Sequence, residues 1–182
     1  MRADLIVPSP ADLPGVGWVA IGDGFGAEGE AGPGALLDCV GPDFPDASVV
    51  ESASSPHFLR PPATLVHGTG VRFETEAAAE AAHAILSGPE FAACLGRSVA
   101  ADLEAGDTTA ELLGIDRVAT MHGHRVRFTG GDGRGVRPVN LDIATVRVGT
   151  TVGVLWCGDT PDAFPADDLG QILGRIRDRG RP

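Results

Sequence analysis

The stretch HRVRFTGGDGRGVRPVNLDIATVRVGTTVGVLWC, residues 124–157, decides the fold. His124-Arg125-Val126-Arg127-Phe128 alternates polar and apolar side chains, the two-residue period of a half-buried strand. Gly130 to Gly135 then interrupts the pattern with closely spaced glycines, the composition of a hairpin loop. Val139-Asn140-Leu141-Asp142-Ile143 resumes the alternation, and Gly149-Thr150 turns the chain into the apolar run Thr151 to Cys157. With Ile115 to Met121 before it, turned by His122-Gly123, the region reads as an antiparallel four-strand meander.

Upstream, Ala63 to Glu74 reads as a further strand and Ala47 to Ala53 as a candidate one. Thr75 is a helix cap, Glu76 suits the helix dipole, and Ala78, Ala81, Ala82, Ile85 and Leu86 form a small-residue stripe on a helix running to Leu86. Ser87-Gly88-Pro89 ends that helix and starts a short second one to Leu95; Val99 to Leu113 is mixed, broken at Gly106-Asp107. A closing helix from Asp167 or Asp168 to Arg179 carries Leu169, Ile172, Leu173 and Ile176 at helical spacing, with Arg175, Arg177 and Arg179 in its last turn. Residues 1–46 are rich in Pro and Gly, with a helical start at Ser9-Pro10, a stop at Pro14-Gly15 and a short helical turn from Gly34 to Cys39. The order predicts an α+β fold: a single antiparallel β-sheet with helices packed mainly on one face, in one domain over residues 1–182 on which the 1–46 segment packs. The βαβ alternation of a doubly wound sheet is missing.

The 182 residues, 43% hydrophobic and 21% charged, have globular composition and enough length for a full core. All 14 basic residues are Arg, a coding bias of GC-rich actinobacterial type. The net charge of −11 argues against nucleic acid and against anionic membrane surfaces, both of which require cationic protein. No apolar run approaches the ~20 residues of a membrane helix. CxxC, HExxH and Gly-x-Ser-x-Gly patterns are lacking, and the glycine loops at 22–26 and 130–133 lack the Lys and the strand–loop–helix setting of a phosphate cradle. His122-Gly123-His124 reads as an exposed hairpin pair. The sequence therefore leads us to expect no catalytic residue, no metal and no cofactor.

Cys39 and Cys94 are the candidate disulfide. A loop of about 55 residues closed by such a bridge contributes roughly 4 kcal/mol by the chain-entropy argument. The alternative is two buried free thiols in a cytosolic protein. Cys157 is read as a buried free thiol. Met1 to Pro8 lacks a secretory apolar region, so location stays open between cytoplasmic and, with an upstream signal missing from this chain, extracytoplasmic. Arg125 and Arg127 share one strand face and Arg147 lies on a neighbouring strand; with Phe128 or Trp156 as an apolar wall they could border a groove for a small anionic ligand or a cell-envelope component. The alternative is that these arginines, with Arg137, pair with Asp142, Asp116 or Glu74 on a solvated face.

The order of several short motifs carries a family likeness. Asp12-Leu13-Pro14-Gly15, Leu36-Leu37-x-Cys39, Ser87-x-x-x-Phe91-x-x-Cys94 and Arg147-Val148-Gly149-x-x-Val152 resemble the extracytoplasmic sensor domain of actinobacterial receptor Ser/Thr kinases and related lipoproteins, over roughly residues 9–178. The resemblance implies a small α+β fold, disulfides and ligand sensing outside the membrane, and it carries no catalytic residue over to this chain. Two functions therefore stand: a non-catalytic extracytoplasmic ligand-binding or sensor-like domain, or a small cytoplasmic enzyme or enzyme accessory protein with reduced thiols.

Overall fold

The computed structural model describes residues 2–21, 39–62, 64–105, 109–117, 123–131, 136–159, 162 and 164–181. Among these, the strands are β1 (Val19–Ile21), β2 (Val49–Ser54), β3 (His57–Arg60), β4 (Thr64–Phe73), β5 (Thr109–Arg117), β6 (Gly123–Gly131), β7 (Val136–Val148) and β8 (Thr151–Asp159). The α-helices are α1 (Glu76–Leu86), α2 (Pro89–Ala105) and α3 (Ala166–Arg179). All strands lie in one sheet, ordered β1-β3-β4-β8-β7-β6-β5, with β2 also paired to β4. Every pairing is antiparallel. The fold is α+β with a single antiparallel sheet, as the alternation in 124–157 predicts.

The meander is closed by local geometry. Gly149, at φ 56°, makes the two-residue turn between β7 and β8, a conformation that costs a residue with a Cβ. The Thr75 hydroxyl accepts from the Ala78 amide and caps α1. Beyond these, four readings change. The second helix continues past Leu95 to Ala105, so the ambiguous 99–113 segment divides into the end of α2 and the strand β5, which begins at Thr109 rather than Ile115. Residues 118–122, including His122, lie outside the described residues, as do residues 22–38. In α1 the buried stripe is Ala79, Ala82 and Leu86, and Ala81 points outward. Strands β1 and β3 are too short, at three and four residues, to show a periodicity in the sequence.

The sheet carries a core on each face. On one, Phe73, Val126, Ile143, Val152, Val154 and Trp156 meet α1 through Ala79, Ala82 and Leu86, and α2 through Phe91, Ala92 and Leu95. On the other, Phe58, Val66, Ala144, Val146, Leu155 and Cys157 meet Ile6, Leu13 and the α3 side chains Leu169, Ile172, Leu173 and Ile176. Two of the three described helices thus share a face, and α3 lies opposite with the N-terminal segment.

That segment sits on a bed of glycines. Gly68 and Gly70 on β4 and Gly153 on β8 present bare backbone to residues 3–8, with Gly70 paired to Gly153 in the register. A Cβ at Gly70 would fall 2.5 Å from the Ala3 carbonyl oxygen, and one at Gly153 2.7 Å from that of Ile6. Ala3 and Ile6 are wholly buried as a result. From above, Arg179 of α3 reaches over the segment. Its Nε donates to the Leu5 carbonyl at 3.1 Å and its Nη1 to the Ser9 hydroxyl at 2.8 Å; it also meets the Val7 carbonyl and the Asp12 carboxylate. Arg175, one turn earlier, donates to the Ala11, Asp12 and Leu13 carbonyls. Asp12 Oδ2 also accepts from the Ser9 amide at 2.8 Å and the Ser9 hydroxyl at 2.7 Å, so this buried oxygen gathers three donors.

Gly70→Val should therefore destabilise the protein by about 1–3 kcal/mol, because the backbone of residue 3 must move to admit the side chain. Gly170 on the exposed side of α3 has open space around it, and Gly170→Ala should instead stabilise by about 0.5–1 kcal/mol. Urea denaturation of the two variants against the parent checks both signs.

Candidate functional site

The register assigns each residue singled out in the sequence to a face. Arg125 stands opposite Asp142, which stands opposite Cys157, all on the face that carries α3. Arg147 stands opposite Val152, and Ile143 opposite Trp156, on the face that carries α1 and α2. The arginine groove is thereby corrected: Arg125 and Arg127 look to one side of the sheet, Arg147 and Trp156 to the other, and these four do not border one concavity. Alternation within a strand states which residues share a face of that strand; only the pairing register says which faces of different strands coincide. Phe128 stands opposite Val139 in the register.

Arg125 takes the alternative reading. It makes a bidentate pair with Asp142, Nε to Oδ1 at 2.6 Å and Nη2 to Oδ2 at 2.8 Å, and donates a further bond to the Phe164 carbonyl at 3.2 Å. The Asp142 side chain is almost fully buried, so the guanidinium fork is what makes its charge tolerable there. Cys157 beside it is wholly buried, and both its burial and the Asp142 charge push its thiol well above the ordinary range. Arg127 is exposed opposite Asn140. Arg147 is exposed, with Nη1 at 3.5 Å from the Gly149 carbonyl.

Cys39 and Cys94 are joined in a disulfide, with Cα atoms 5.5 Å apart and 55 residues between them. The bridge fastens the helical residues Cys39 and Val40 to the first turns of α2, and Cys39, Val40, Phe91 and Leu95 belong to one core cluster. Cys157 is a free buried cysteine.

One cluster was not visible in the sequence. β2 and β3 both pair with β4 and meet at a bend, Ser55-Pro56. There the ring of His57 stacks on that of His67, centroids 4.2 Å apart and planes 12° from parallel, and His67 tilts against Trp156 at 5.3 Å. The Ser55 hydroxyl lies 3.5 Å from His67 Nδ1 and accepts from the Gly68 amide at 3.0 Å. His67 and Trp156 are each only 8% exposed, whereas His57 is half-buried at the rim. Trp156 Nε1 is buried without a hydrogen-bond partner, a cost of order 1–3 kcal/mol. Burial, then the neighbouring His57, lowers the His67 pKa to about 4, against the opposing effect of hydrogen bonding at Pro56 and Ser55. The histidines are ten residues apart on different strands, with no spacing motif to announce them. Among the described residues, no three His, Cys, Asp or Glu side chains gather as a metal site would require. Nor is any helix there long and apolar enough to cross a membrane.

No family model and no curated protein matches the chain. Among solved structures it is similar to the extracellular domain of PknH from Mycobacterium tuberculosis, with 15% sequence identity and a TM-score of 0.41, over 76% of this chain and 68% of that one. At that distance no residue role passes from one to the other.

The His67 environment sets a pH dependence. Its folded pKa, about 4, lies below the ordinary 6.5, so the unfolded chain binds the proton more readily. This contribution to stability is complete above pH 6.5 and is lost as pH falls from 6.5 toward 4. The difference amounts to at most about 3 kcal/mol. His67→Phe should flatten the slope of unfolding free energy against pH across that window, measured by urea titration at successive pH values.

Proposed function

We propose that this chain is a non-catalytic, extracytoplasmic ligand-binding domain of sensor type. The observation that carries the reading is the Cys39–Cys94 disulfide. Bridges of this kind form and persist in oxidising compartments, and a cytosolic thiol pool would hold the two cysteines reduced. The bridge also has a structural task that suits exposure to the cell exterior: it ties the segment before β2 to α2, across the core cluster that covers one sheet face. The motif order shared with receptor-kinase sensor domains supplies the sensing role, and the acidic balance directs the domain away from nucleic acid.

The test is thiol counting on protein taken from its own host. Under denaturing, non-reducing conditions alkylation should label Cys157 alone, and after reduction all 3 cysteines. Three labelled thiols without reductant would overturn the extracytoplasmic reading. The Cys39→Ser, Cys94→Ser double variant should lose roughly 4 kcal/mol of stability, the contribution of closing a loop of this length, and this is read by chemical denaturation under oxidising conditions.

A further inference from the structure

Residues 2–13 form a strap that later parts of the chain hold in place. Its two short helical turns, Ala3–Ile6 and Pro10–Asp12, rest on β2, β4, β8 and α3, all of which follow it in sequence. Much of the hold is on main-chain atoms. The α3 arginines donate to the Leu5, Val7, Ala11, Asp12 and Leu13 carbonyls, and the glycine bed admits the backbone of residues 3–8. We propose that the strap is exchangeable: the bed of one copy accepts residues 2–13 of a second copy, and the two chains form a strap-swapped dimer. Each bed then makes the same contacts whichever copy supplies the strap. The balance between monomer and dimer therefore rests on the hinge and on the new surface that the dimer buries.

The hinge is Pro14-Gly15-Val16-Gly17. Gly15 and Gly17 lie at φ 72° and 89°, in the left-handed region, and residues 15–17 are exposed. The closed hinge is held at one point. The Trp18 indole N–H donates to the Pro14 carbonyl at 2.8 Å, and Arg60, 4.6 Å from the centroid of the Trp18 ring, reaches the same carbonyl at 3.4 Å. An extended hinge returns both glycines to the ordinary β region and carries the strap off its own bed. The surface beside the hinge selects a second copy as the occupant. Val16 is 89% exposed and Val19 59%, and Ile21 is exposed as well. Val19 and Ile21 share one face of β1, the end strand of the sheet. In the monomer these apolar side chains face water. In the swapped dimer the two extended hinges pass each other beside the two β1 strands, and the same side chains bury against their mates.

The exchange requires no covalent change. The Cys39–Cys94 bridge lies outside the strap and its hinge, so each chain keeps its own. The dimer is read on purified protein from its mass, so its failure leaves the disulfide-based reading of location untouched, and the failure of that reading leaves the dimer untouched.

The experiment unfolds the full chain in urea without reductant and refolds it at low and at high protein concentration. Size-exclusion chromatography with light scattering then gives the mass, and a denaturing, non-reducing gel detects disulfide-linked chains. The mass should double for a share of the protein that rises with concentration, while the gel shows single chains. Gly17→Val is strained in the closed hinge by its φ alone, since no atom crowds that position, and is relieved when the hinge extends. It should raise the dimer share several-fold. Gly70→Val spoils the bed and Ile6→Asp the strap. Refolded together, they leave one intact strap for one intact bed, and the mixture should give a heterodimer that unfolds at higher urea than either variant alone. If one of these two does not refold, the parent and Gly17→Val decide the matter. A parent that is monomeric at every concentration, a dimer linked by disulfides, a Gly17→Val variant with the parent's dimer share, or a mixture that unfolds as the sum of its parts overturns the exchange.

Discussion

The close approach of residues 3–8 to the bare backbone of β4 and β8 is the constraint on which the α3 side of the molecule depends. Gly68, Gly70 and Gly153 leave no room for side chains, and the Ala3 and Ile6 carbonyls occupy the space that Cβ atoms would take. With Ile6 seated there, Leu13 and the apolar stripe of α3 close over the same face. Arg179 and Arg175 then donate to the carbonyls of Leu5, Val7, Ala11, Asp12 and Leu13. A surface helix thus becomes a clasp, and α3 and the N-terminal segment are bound to each other on one face of the sheet.

The two faces handle buried polarity differently. On the α3 side, Asp142 is charged and wholly buried, but Arg125 meets both of its oxygens and the Phe164 carbonyl completes the guanidinium. The bidentate geometry is what makes the buried carboxylate tolerable there. On the helical side, the Trp156 indole N–H of the histidine–tryptophan corner is buried without an acceptor. A satisfied network specifies a single arrangement. The cysteine bridge reinforces the core cluster to which Trp156 belongs.

Much of the fold was legible because periodicity and turn chemistry are local. The alternation at 124–128 and 139–143, the Gly149 turn, the Thr75 cap and the α3 stripe each predict an element from neighbouring residues, and each is present. The helix boundary that moved, at Leu95, is a place where helix-forming residues run on without a strong stop until Gly106. β1 escaped notice because three exposed residues on a sheet edge carry no pattern to read. Cys39 and Cys94 stand in the sequence as a candidate bridge with two buried free thiols as the alternative, and the tertiary structure joins them.

What the sequence determined by itself was the class of the fold and the antiparallel meander, since these follow from composition and local period. What only the tertiary structure decided was which side chains share a face. The arginines were separated and the two histidines united by strand register, a long-range property set by how β4, β7 and β8 pair rather than by residues adjacent in the chain. The clasp of Arg179 on residues 5–12 is of the same kind: nothing near either segment announces the other, and the glycine bed has meaning only once β4 and β8 lie side by side.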